Sequence, residues 1–473
     1  MPPTEHRPSG TPQSQAVDSP RVTVIGGGLA GSEAAWQLAT RGVSVELIEM
    51  RPEVMGPAHH TANLAELVCS NSFKNEDPTT AAGLLKRELD SLGSMVLAAA
   101  HATRVPAGTA LAVDREGFSA LISGVIANHP LIRVVHREQT TLPDGLTICA
   151  TGPLTSQHFE GVLTDLAGPE RLAFFDAAAP IVAAESIDES VVFAASRYGK
   201  GEGADYLNAP MDRTQYECFA AALVEARRVT AKDFERRELF AACQPAEEIA
   251  RTGPDALRFG PLKPVGLTDP RTGQRPWAVV QLRPENRAKT AYNLVGFQTN
   301  LAFGEQERVF RLIPGLERAE FLRYGVMHRN TFVDAPHVLD RALAVRSVPR
   351  VRMAGQVTGT EGYLEAAATG LLAAVNVFAE IAGAEPFVLP ETSALGSLVA
   401  YATNPETERY QPMHVNFGLL PPLAQRIRGK RARYEAYAQR ASDDLELYLD
   451  TRPDLGLEQT RQAAAALMEA HHA

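Results

Sequence analysis

Residues 21–49 read RVTVIGGGLAGSEAAWQLATRGVSVELIE, and this stretch decides the fold. Its β-branched runs at 21–25 and 43–48 flank a segment, 32–40, in which apolar residues recur at helical spacing. A strand, a helix and a second strand within about thirty residues form a βαβ unit, which implies a parallel sheet. The stretch therefore predicts an α/β fold that opens with a Rossmann-like nucleotide-binding unit.

The glycines between the first strand and the helix fit the dinucleotide-binding pattern G-x-G-x-x-G. Gly26 permits the tight turn, Gly28 lets the backbone approach a pyrophosphate, and Gly31 lets the helix pack on the strand. Glu49 ends the second strand, where a carboxylate can accept hydrogen bonds from ribose hydroxyls. We interpret the loop as a dinucleotide site, although a tight turn without a ligand has the same local pattern. The loop supplies six candidate cofactor-binding residues: Gly26, Gly27, Gly28, Leu29, Ala30 and Gly31.

Two later stretches favour FAD over NAD as the dinucleotide. Residues 148–153 (ICATGP) run from a strand into a turn whose Gly152 lets the backbone pass close to a bound flavin. Residues 353–356 (MAGQ) lead into a helix, and the helix N-terminus near Gly355 and Gln356 can stabilise negative charge on a reduced flavin. Each stretch alone could be ordinary strand-to-helix punctuation. The three features in this order predict a tightly bound FAD.

The order of the segments predicts a nucleotide domain built from both ends of the chain. A second strand–glycine–helix passage appears at 351–378, whereas 190–325 contains short strands broken by Pro and Gly. The fold class is therefore α/β, a discontinuous Rossmann-like FAD-binding domain with an inserted smaller α+β domain. No uncharged apolar run approaches the ~20 residues of a membrane span, and the Ala-rich 366–378 reads as a packed helix. The predicted divisions are a disordered tail (1–20), the first part of the FAD-binding domain (21–190), the inserted domain (191–325), and the second part with a basic C-terminal helical segment (326–473).

Four cysteines, at 69, 149, 218 and 243, have no C-x-x-C spacing. This argues against a flavin disulfide reductase, a structural zinc site and a disulfide scaffold, and it favours a reducing, cytosolic setting. Cys149 and Cys218 lie in apolar stretches and are interpreted as small buried hydrophobes. Cys69 and Cys243 have polar neighbours, and local sequence leaves open whether each is a reactive thiol or a structural one.

The 473-residue chain has the composition of an ordinary globular protein, with 45% hydrophobic and 22% charged residues. Its net charge of -10 argues at first against a nucleic-acid partner. Two tracts depart from that average. Residues 425–440 hold six basic residues against one acidic, and residues 251–290 hold eight against three. Such segregation is typical of a phosphate-binding face, although the first tract alone could equally be a solvated helix face.

A series of strings through the chain resembles the folate- and FAD-dependent tRNA (uracil-5-)-methyltransferases. The similarity runs in order from about residue 22 to about residue 420, and its most specific strings are ELVCSNS and GPLKPVGL. Small departures from the usual pattern, Gly27 and Gln244, do not touch the implied chemistry. Other matching strings are EMRP, VPAGTALAVDREGFS, CATGPLTS, SRYGKGEGADYLN, VVQLR, NLVGFQTNL, RYGVMHRNTF, AGQVTGTEGYLEAAATGLLA and NFGLLPPL.

The resemblance implies methylation of C5 of the T-loop uridine at position 54 of tRNA. Methylenetetrahydrofolate would be the carbon donor, NAD(P)H the reductant and FAD the bound cofactor. It also implies that Cys243 is the nucleophile that attacks uracil C6, and that Cys69 is a second catalytic thiol acting as acid or base at the C5 proton. The expected partner is tRNA, bound through the two basic tracts, in the cytoplasm, with neither a membrane nor an obligate protein partner.

Three alternatives stay open at this point. One is the related FAD-containing enzyme that helps modify wobble uridines of tRNA, whose family carries a longer C-terminal helical domain than we expect here. A second is a flavin oxidoreductase that acts on small molecules or oxygen, and a third is a flavin-bearing binding protein without turnover. Transfer of a labelled carbon from methylenetetrahydrofolate to ribothymidine in tRNA separates the leading hypothesis from all three.

Overall fold

A computed structural model describes residues 21–168, 172–177, 179–229, 244–325, 327–407 and 410–472. The predicted tail, 1–20, and Cys243 lie outside the described residues. The strands are β1 (Arg21–Ile25), β2 (Ser44–Glu49), β3 (Ser72–Asn75), β4 (Arg104–Val105), β5 (Ala110–Val113), β6 (Ile132–His136), β7 (Thr147–Cys149), β8 (Leu172–Ala177), β9 (Ile181–Ala183), β10 (Phe193–Ala194), β11 (Leu207–Met211), β12 (Ala278–Pro284), β13 (Ala291–Leu294), β14 (Phe321–Arg323), β15 (Met327–Phe332), β16 (Ala344–Val345) and β17 (Val348–Met353).

The α-helices are α1 (Leu29–Thr40), α2 (Ala81–Ser91), α3 (Met95–Ala102), α4 (Arg115–Ala127), α5 (Gln157–Ala167), α6 (Arg213–Glu225), α7 (Ala246–Arg251), α8 (Ala256–Phe259), α9 (Phe303–Phe310), α10 (Ala335–Val338), α11 (Tyr363–Ala382), α12 (Ala394–Ala402), α13 (Lys430–Asp450) and α14 (Leu457–His472).

The first sheet draws its strands from both ends of the chain. Its order is β16-β17-β7-β1-β2-β6, and all neighbouring pairs are parallel except β16 with β17. The apolar side chains of β1 and β2 are buried because helices cover the sheet, as parallel sheets require. The predicted α/β class, with a discontinuous Rossmann-like domain and an inserted smaller domain, is confirmed.

A second sheet, antiparallel throughout, has the order β10-β11-β12-β13-β9-β14. Strands β8 and β15, which precede and follow it in the chain, pair with each other as a two-stranded ribbon. The chain therefore leaves the first sheet and returns to it through adjacent strands. The predicted domain boundaries stay predictions; β9, the first strand of the second sheet along the chain, lies before residue 190.

Helices α1 and α11 pack closely because small residues meet at their crossing. A Cβ atom at Gly370 would lie 2.2 Å from the carbonyl oxygen of Ala30, so no larger residue fits there. By length and composition α11 could also cross a membrane, but 83% of its most apolar window is buried inside the protein. This agrees with the packed helix predicted at 366–378. The crossing holds the N-terminus of α1 beside the loop that follows β17.

The structure corrects the interpretation of one cysteine and confirms another. Cys149 is buried at the end of β7, and burial raises the pKa of its thiol to about 12. Cys218, predicted to be buried, is exposed on α6. The helix buries Tyr216, Phe219 and Leu223, and position 218 lies outside that face. An apolar stretch thus did not reveal which of its members point outward.

Candidate active site

A cleft opens where β1, β2, β7 and β17 end, and its empty space, including the part open to solvent, is about 970 Å³. The carboxyl ends of parallel strands are where open α/β sheets bind ligands. The lining runs from Ile25 to Ala366, so the cleft draws together segments that lie up to 341 residues apart in the chain. Eight of the ten predicted cofactor residues line it: Gly26, Gly28, Leu29, Ala30, Glu49, Gly152, Gly355 and Gln356.

Gly27 and Gly31, the other two predicted residues, shape the loop from behind. The Gly27 amide donates a hydrogen bond of 2.7 Å to Glu49 Oε2. A Cβ atom at Gly31 would lie 1.8 Å from the Gly26 carbonyl oxygen, which is an impossible contact. Gly26 itself has a φ of 100°, in the region that favours glycine. The two residues therefore fix the turn that presents the rest of the loop to the cleft.

The loop has the properties that a dinucleotide pyrophosphate requires. A Cβ atom at Gly28 would meet nothing within 4 Å, so the backbone there borders open space. The N-cap residue of α1 is Gly28, which has no side chain, so no side-chain hydrogen bond caps this end of the helix. The first amides of a helix without such a cap are donors available to an anion, and the helix dipole favours negative charge at this end. The residues present fit FAD as the group held here.

Glu49 is held by donors from two directions. Its Oε1 accepts from the backbone and side-chain Nε of Arg51 at 3.0 and 2.8 Å, and its Oε2 accepts from Gly27. Arg51 also pairs with Glu66 at 3.2 Å. Burial would raise the pKa of Glu49, but the hydrogen bonds and charge of Arg51 outweigh it and lower the pKa. A carboxylate accepts about four hydrogen bonds, so capacity remains for a ribose hydroxyl.

Replacing Glu49 with Gln is expected to destabilise the protein by about 2–4 kcal/mol at pH 7, because Arg51 loses a buried ionic partner. Because the pKa of Glu49 is lowered on folding, the carboxylate stabilises the folded protein at pH values above 4.5, its ordinary pKa. This stabilisation is lost as the pH falls through the lower pKa of the folded state. Urea unfolding at pH 7 and pH 4 should therefore differ less for Glu49→Gln than for the wild type. Glu53→Gln, at an exposed position nearby, is the control; equal pH dependence in all three proteins would contradict the assignment.

The other predicted cofactor contacts are placed with one correction. Gly152 has a φ of 69° and a Cβ atom there would meet nothing within 4 Å, so it also borders open space. Gly355 lines the cleft, but the helix predicted to follow Gln356 directly does not begin there. A short 3₁₀ turn intervenes, and α11 begins at Tyr363. Glycines 359 and 362, with φ of 75° and 120°, account for the delay, since both lie outside helical conformation.

Cys69 lies at the edge of this cleft. Its neighbour Val68 and the ring of Tyr363 line the cleft wall. The Tyr363 hydroxyl accepts hydrogen bonds from the backbone amides of Cys69 and Ser70, at 2.9 and 3.1 Å. Burial raises the pKa of Tyr363, and a negative charge at Cys69 acts in the same direction. The hydroxyl thus stays neutral and fixes the backbone that carries the thiol.

Three guanidinium groups surround the loop of Cys69. Arg115 donates to the carbonyl oxygen of Leu67 and pairs with Glu285 at 2.7 Å. Arg323 donates to the carbonyl oxygen of Val68 at 2.7 Å. Arg283, buried on β12, donates to the side-chain oxygen of Asn71 at 2.8 Å. These contacts hold the residues on both sides of Cys69 and concentrate positive charge around its sulfur.

A negative charge at Cys69 acts to raise the pKa of each of the three arginines. Burial lowers the pKa of Arg283 and of Arg323, and a negative charge at Cys69 opposes that effect. Burial would also lower the pKa of Arg115, but Glu285 and, more weakly, Cys69 raise it. Positive surroundings of this kind favour the thiolate, which is the reactive form of cysteine. The arrangement therefore supports acid–base chemistry at this sulfur.

Sequence reasoning missed Tyr363 and the three arginines as members of this site. They lie on four elements separated by up to 248 residues, and no local spacing connects them. A weak signal was present, because the matching strings VVQLR and RYGVMHRNTF place arginines at 283 and 323 in otherwise apolar or strand-like contexts. An arginine in a buried strand needs a partner, which points to a site.

Val229 and Ala246, on either side of the segment that contains Cys243, are hydrogen-bonded to one stretch of the chain. The amide of Val229 donates to the carbonyl oxygen of Asn300 at 2.9 Å, and the amide of Ala246 donates to that of Gln298 at 2.7 Å. Gln244, which follows Cys243 in sequence, is exposed. The segment 298–302 thus holds the chain on both sides of residues 230–243, which lie outside the described residues.

Both basic tracts expose most of their charged side chains. In 425–440 five of the six basic side chains are exposed, namely Arg426, Arg428, Lys430, Arg431 and Arg433. In 251–290 six of the eight are exposed, whereas Arg283 is buried beside Asn71. Each tract has one exposed arginine in an ion pair, Arg431 with Glu435 at 2.9 Å and Arg271 with Asp269 at 2.8 Å. Both tracts are therefore candidates for phosphate contacts.

Known proteins resemble the chain over most of its length. Residues 21–385 match a family model described as glucose inhibited division protein A. A protein of Geobacter sulfurreducens named methylenetetrahydrofolate--tRNA-(uracil-5-)-methyltransferase TrmFO is 54% identical over 431 residues, which cover 91% of this chain and 99% of the relative. A protein of the same name from Thermosynechococcus vestitus is 55% identical over 430 residues, covering 90% and 94%.

A solved structure supports the fold. GidA of Aquifex aeolicus, in its form II crystal, superimposes with a TM-score of 0.67 and covers 97% of this chain and 76% of that chain. At 17% sequence identity this likeness shows the fold alone. The two relatives named above are more than 50% identical to this chain along nine tenths of its length, and they show its family as well as its fold. The chain belongs to the methylenetetrahydrofolate--tRNA-(uracil-5-)-methyltransferase family.

Proposed function

We propose that this chain methylates C5 of uridine 54 in the T-loop of tRNA, with methylenetetrahydrofolate as carbon donor, NAD(P)H as reductant and FAD as bound cofactor. The observation that carries the proposal is the position of Cys69, at the edge of the dinucleotide cleft and among Arg115, Arg283 and Arg323. The names of the relatives support the substrate and the carbon donor. A tRNA substrate also leads us to infer a cytoplasmic location.

The proposed chemistry uses two thiols. One adds to C6, because uracil C5 is a poor nucleophile without that addition, and the other accepts the proton from C5. Addition of the Cys243 thiolate to C6 forms a C–S bond and moves the π electrons toward C5 and O4 of the base. C5 can then form its bond to the donated carbon. The proton on C5 must leave before the C–S bond can break and restore the ring. Cys69 is the residue we assign to that proton transfer.

The residues around Cys69 suit this task. Arg115 and Arg323 hold the carbonyl groups of Leu67 and Val68, so the loop cannot easily turn away from the cleft. Positive charge favours the thiolate before the C5 proton arrives, and the Tyr363 hydroxyl, already accepting from two amides, fixes the backbone. Cys69 would then hold the abstracted proton on its sulfur until the product leaves.

The walls of the cleft would hold FAD through backbone groups. Gly28 and the first amides of α1 would hold the pyrophosphate, and Glu49 would accept a hydrogen bond from a ribose hydroxyl. Gly152, Gly355 and Gln356 would border the flavin end of the cleft. Bound FAD supplies a carrier for the one-carbon unit and the electron pair that converts methylene to methyl.

The function is tested by incubating the purified holoenzyme with unmodified tRNA, carbon-labelled methylenetetrahydrofolate and NADPH or NADH. Label is expected in ribothymidine at position 54, and none is expected with a tRNA carrying cytidine there. Label at a wobble uridine would support the rival tRNA enzyme instead. Absence of label from tRNA, with NADPH still oxidised, would support a small-molecule oxidoreductase and contradict the proposal.

Replacing Tyr363 with Phe is expected to lower the methylation rate about tenfold or more, because the amides of Cys69 and Ser70 lose their acceptor and the thiol loses its fixed position. The KM for tRNA should change little, since the substitution moves a reacting group and leaves the RNA contacts intact. Tyr401→Phe, which removes a hydroxyl donating to the carbonyl oxygen of Gln411, is the control. An unchanged rate in Tyr363→Phe would rule out this positioning role.

A further inference from the structure

Three aromatic rings form a parallel stack on the surface of the inserted domain. The rings of Phe303 and Tyr324 have centroids 4.7 Å apart at 16°, and those of Tyr324 and Phe321 are 5.5 Å apart at 12°. Tyr324 is fixed in the middle because its hydroxyl donates to Glu307. Phe303, at the end of the stack, is 52% exposed although one face lies on Tyr324. Its other face is therefore open to solvent.

The stack is joined to the loop of Cys69 and to the segment 298–302. Arg323, which lies between Phe321 and Tyr324 in sequence, donates to the carbonyl oxygen of Val68, one residue before Cys69. Phe303 directly follows the segment 298–302, which accepts hydrogen bonds from the amides of Val229 and Ala246. An object resting on Phe303 would thus lie next to this segment, on the domain whose β14 contacts the loop of Cys69.

The surroundings of the open ring are charged. Arg311 lies with its guanidinium 6.0 Å from the centroid of Phe321 and pairs with Glu307 at 3.3 Å. Arg308 and Glu305, on the same helix as Phe303, form a further ion pair at 2.6 Å. Because Arg308 and Arg311 are both paired with carboxylates, the feature that fits an unpaired base is the open aromatic face itself, since every base offers a π face on which a ring can stack.

We propose that Phe303 stacks on an unpaired base of the tRNA next to the uridine that is methylated, an inference that rests on the proposed function. A thiolate can reach C6 only if the uridine leaves its own stack, and the neighbouring base then loses a stacking partner. Phe303 replaces that partner with a ring whose orientation Tyr324 and Phe321 already fix. The energetic cost of exposing the uridine is reduced by the same amount that the new stack contributes.

The test compares substitutions that separate stacking from bulk. Phe303→Leu keeps an apolar side chain without a π face, and it is expected to raise the KM and Kd for tRNA about five- to twentyfold, with the KM for methylenetetrahydrofolate unchanged. Phe303→Trp should restore tRNA affinity to the wild-type level or better. Leu322→Ala, which removes an exposed apolar side chain on β14, is the matched control and should leave tRNA affinity unchanged.

A second measurement does not depend on how Phe303→Leu folds. In Phe303→Trp, tRNA is expected to quench the added indole fluorescence, because a base stacks directly on the ring. Leu447→Trp, at an exposed position on α13, should show no such quenching. Quenching equal to that of Leu447→Trp, or tRNA affinity of Phe303→Leu equal to wild type, would overturn the proposal, even if wild-type enzyme methylates tRNA. A changed folate KM or a changed oligomeric size would also overturn it, in favour of a folate wall or a protein contact. Failure of the wild type itself to methylate tRNA would instead refute the proposed function.

Discussion

Replacing Cys69 with Ala is expected to lower the rate of tRNA methylation at least about a hundredfold, while FAD content and tRNA affinity stay near the wild-type level. Positioned proton transfer contributes roughly 10²–10⁴ to a rate, and neither other described thiol can replace it, because burial raises the pKa of Cys149 to about 12 and Cys218 is exposed on α6. The loop should keep its shape, because the hydrogen bonds that hold it involve backbone groups of residues 67–70. Single-turnover transfer of labelled carbon, flavin absorbance and tRNA binding measure the three quantities.

Measuring the covalent protein–tRNA adduct as well distinguishes the role of Cys69 from that of Cys243. In Cys69→Ala, addition to C6 can still occur but the C5 proton has no acceptor, so a protein–tRNA adduct that survives denaturation is expected to accumulate. In Cys243→Ala the C–S bond cannot form, and no adduct is expected. Cys218→Ala, at an exposed position on α6, should behave as wild type. Methylation by Cys69→Ala within threefold of wild type would remove this residue from the mechanism.

The cofactor cleft was largely predictable because its pieces are local. The turn at Gly26, the helix that begins after Gly28 and the acid at Glu49 are encoded within 29 consecutive residues, and in the structure the Gly27 amide donates a hydrogen bond to the Glu49 carboxylate. Eight of the ten predicted residues line the cleft. Local backbone requirements leave a visible pattern in a sequence, and a strand–turn–helix is such a requirement.

The surroundings of Cys69 were not predictable in the same way. Tyr363 reaches the cysteine from 294 residues away, and Arg283 reaches Asn71 from 212 residues away. Contacts between distant segments depend on how the two sheets are placed, which no periodicity records. The start of α11 was misplaced for a related reason, since the glycines at 359 and 362 decide it through positive φ angles and their neighbours give no hint of them.

Charge counting along the chain was informative only in part. The tract 251–290 has the same net charge as 425–440 in sequence and also exposes most of its basic side chains, yet its Arg283 is buried and donates to Asn71. A strand such as β12 hides its basic residue, whereas the N-terminal turns of α13 expose theirs to solvent. Net charge therefore predicts a phosphate-binding face only when the residues lie on an exposed surface.

Replacing Gly28 with Val is expected to reduce FAD affinity about 10- to 100-fold without lowering the stability of the FAD-free protein. A Cβ atom at this position meets nothing within 4 Å, and its φ of -73° is accessible to any residue, so the polypeptide accommodates a side chain. The same side chain would occupy the space through which the pyrophosphate approaches the backbone. Retained flavin per protein after dialysis, and the melting temperature of the FAD-free form, measure the two effects separately.

Gly31→Ala, three residues along the same loop, should give the opposite result. Its Cβ atom would lie 1.8 Å from the Gly26 carbonyl oxygen, so α1 must shift from β1, at a cost of about 3 kcal/mol or more whether or not FAD is bound. Gly124→Ala, in the middle of α4 with open space around it, is the control and should raise stability by about 0.5–1 kcal/mol. If Gly28→Val destabilised the FAD-free protein as much as Gly31→Ala did, Gly28 would be a packing residue and the pyrophosphate would have to lie elsewhere in the cleft.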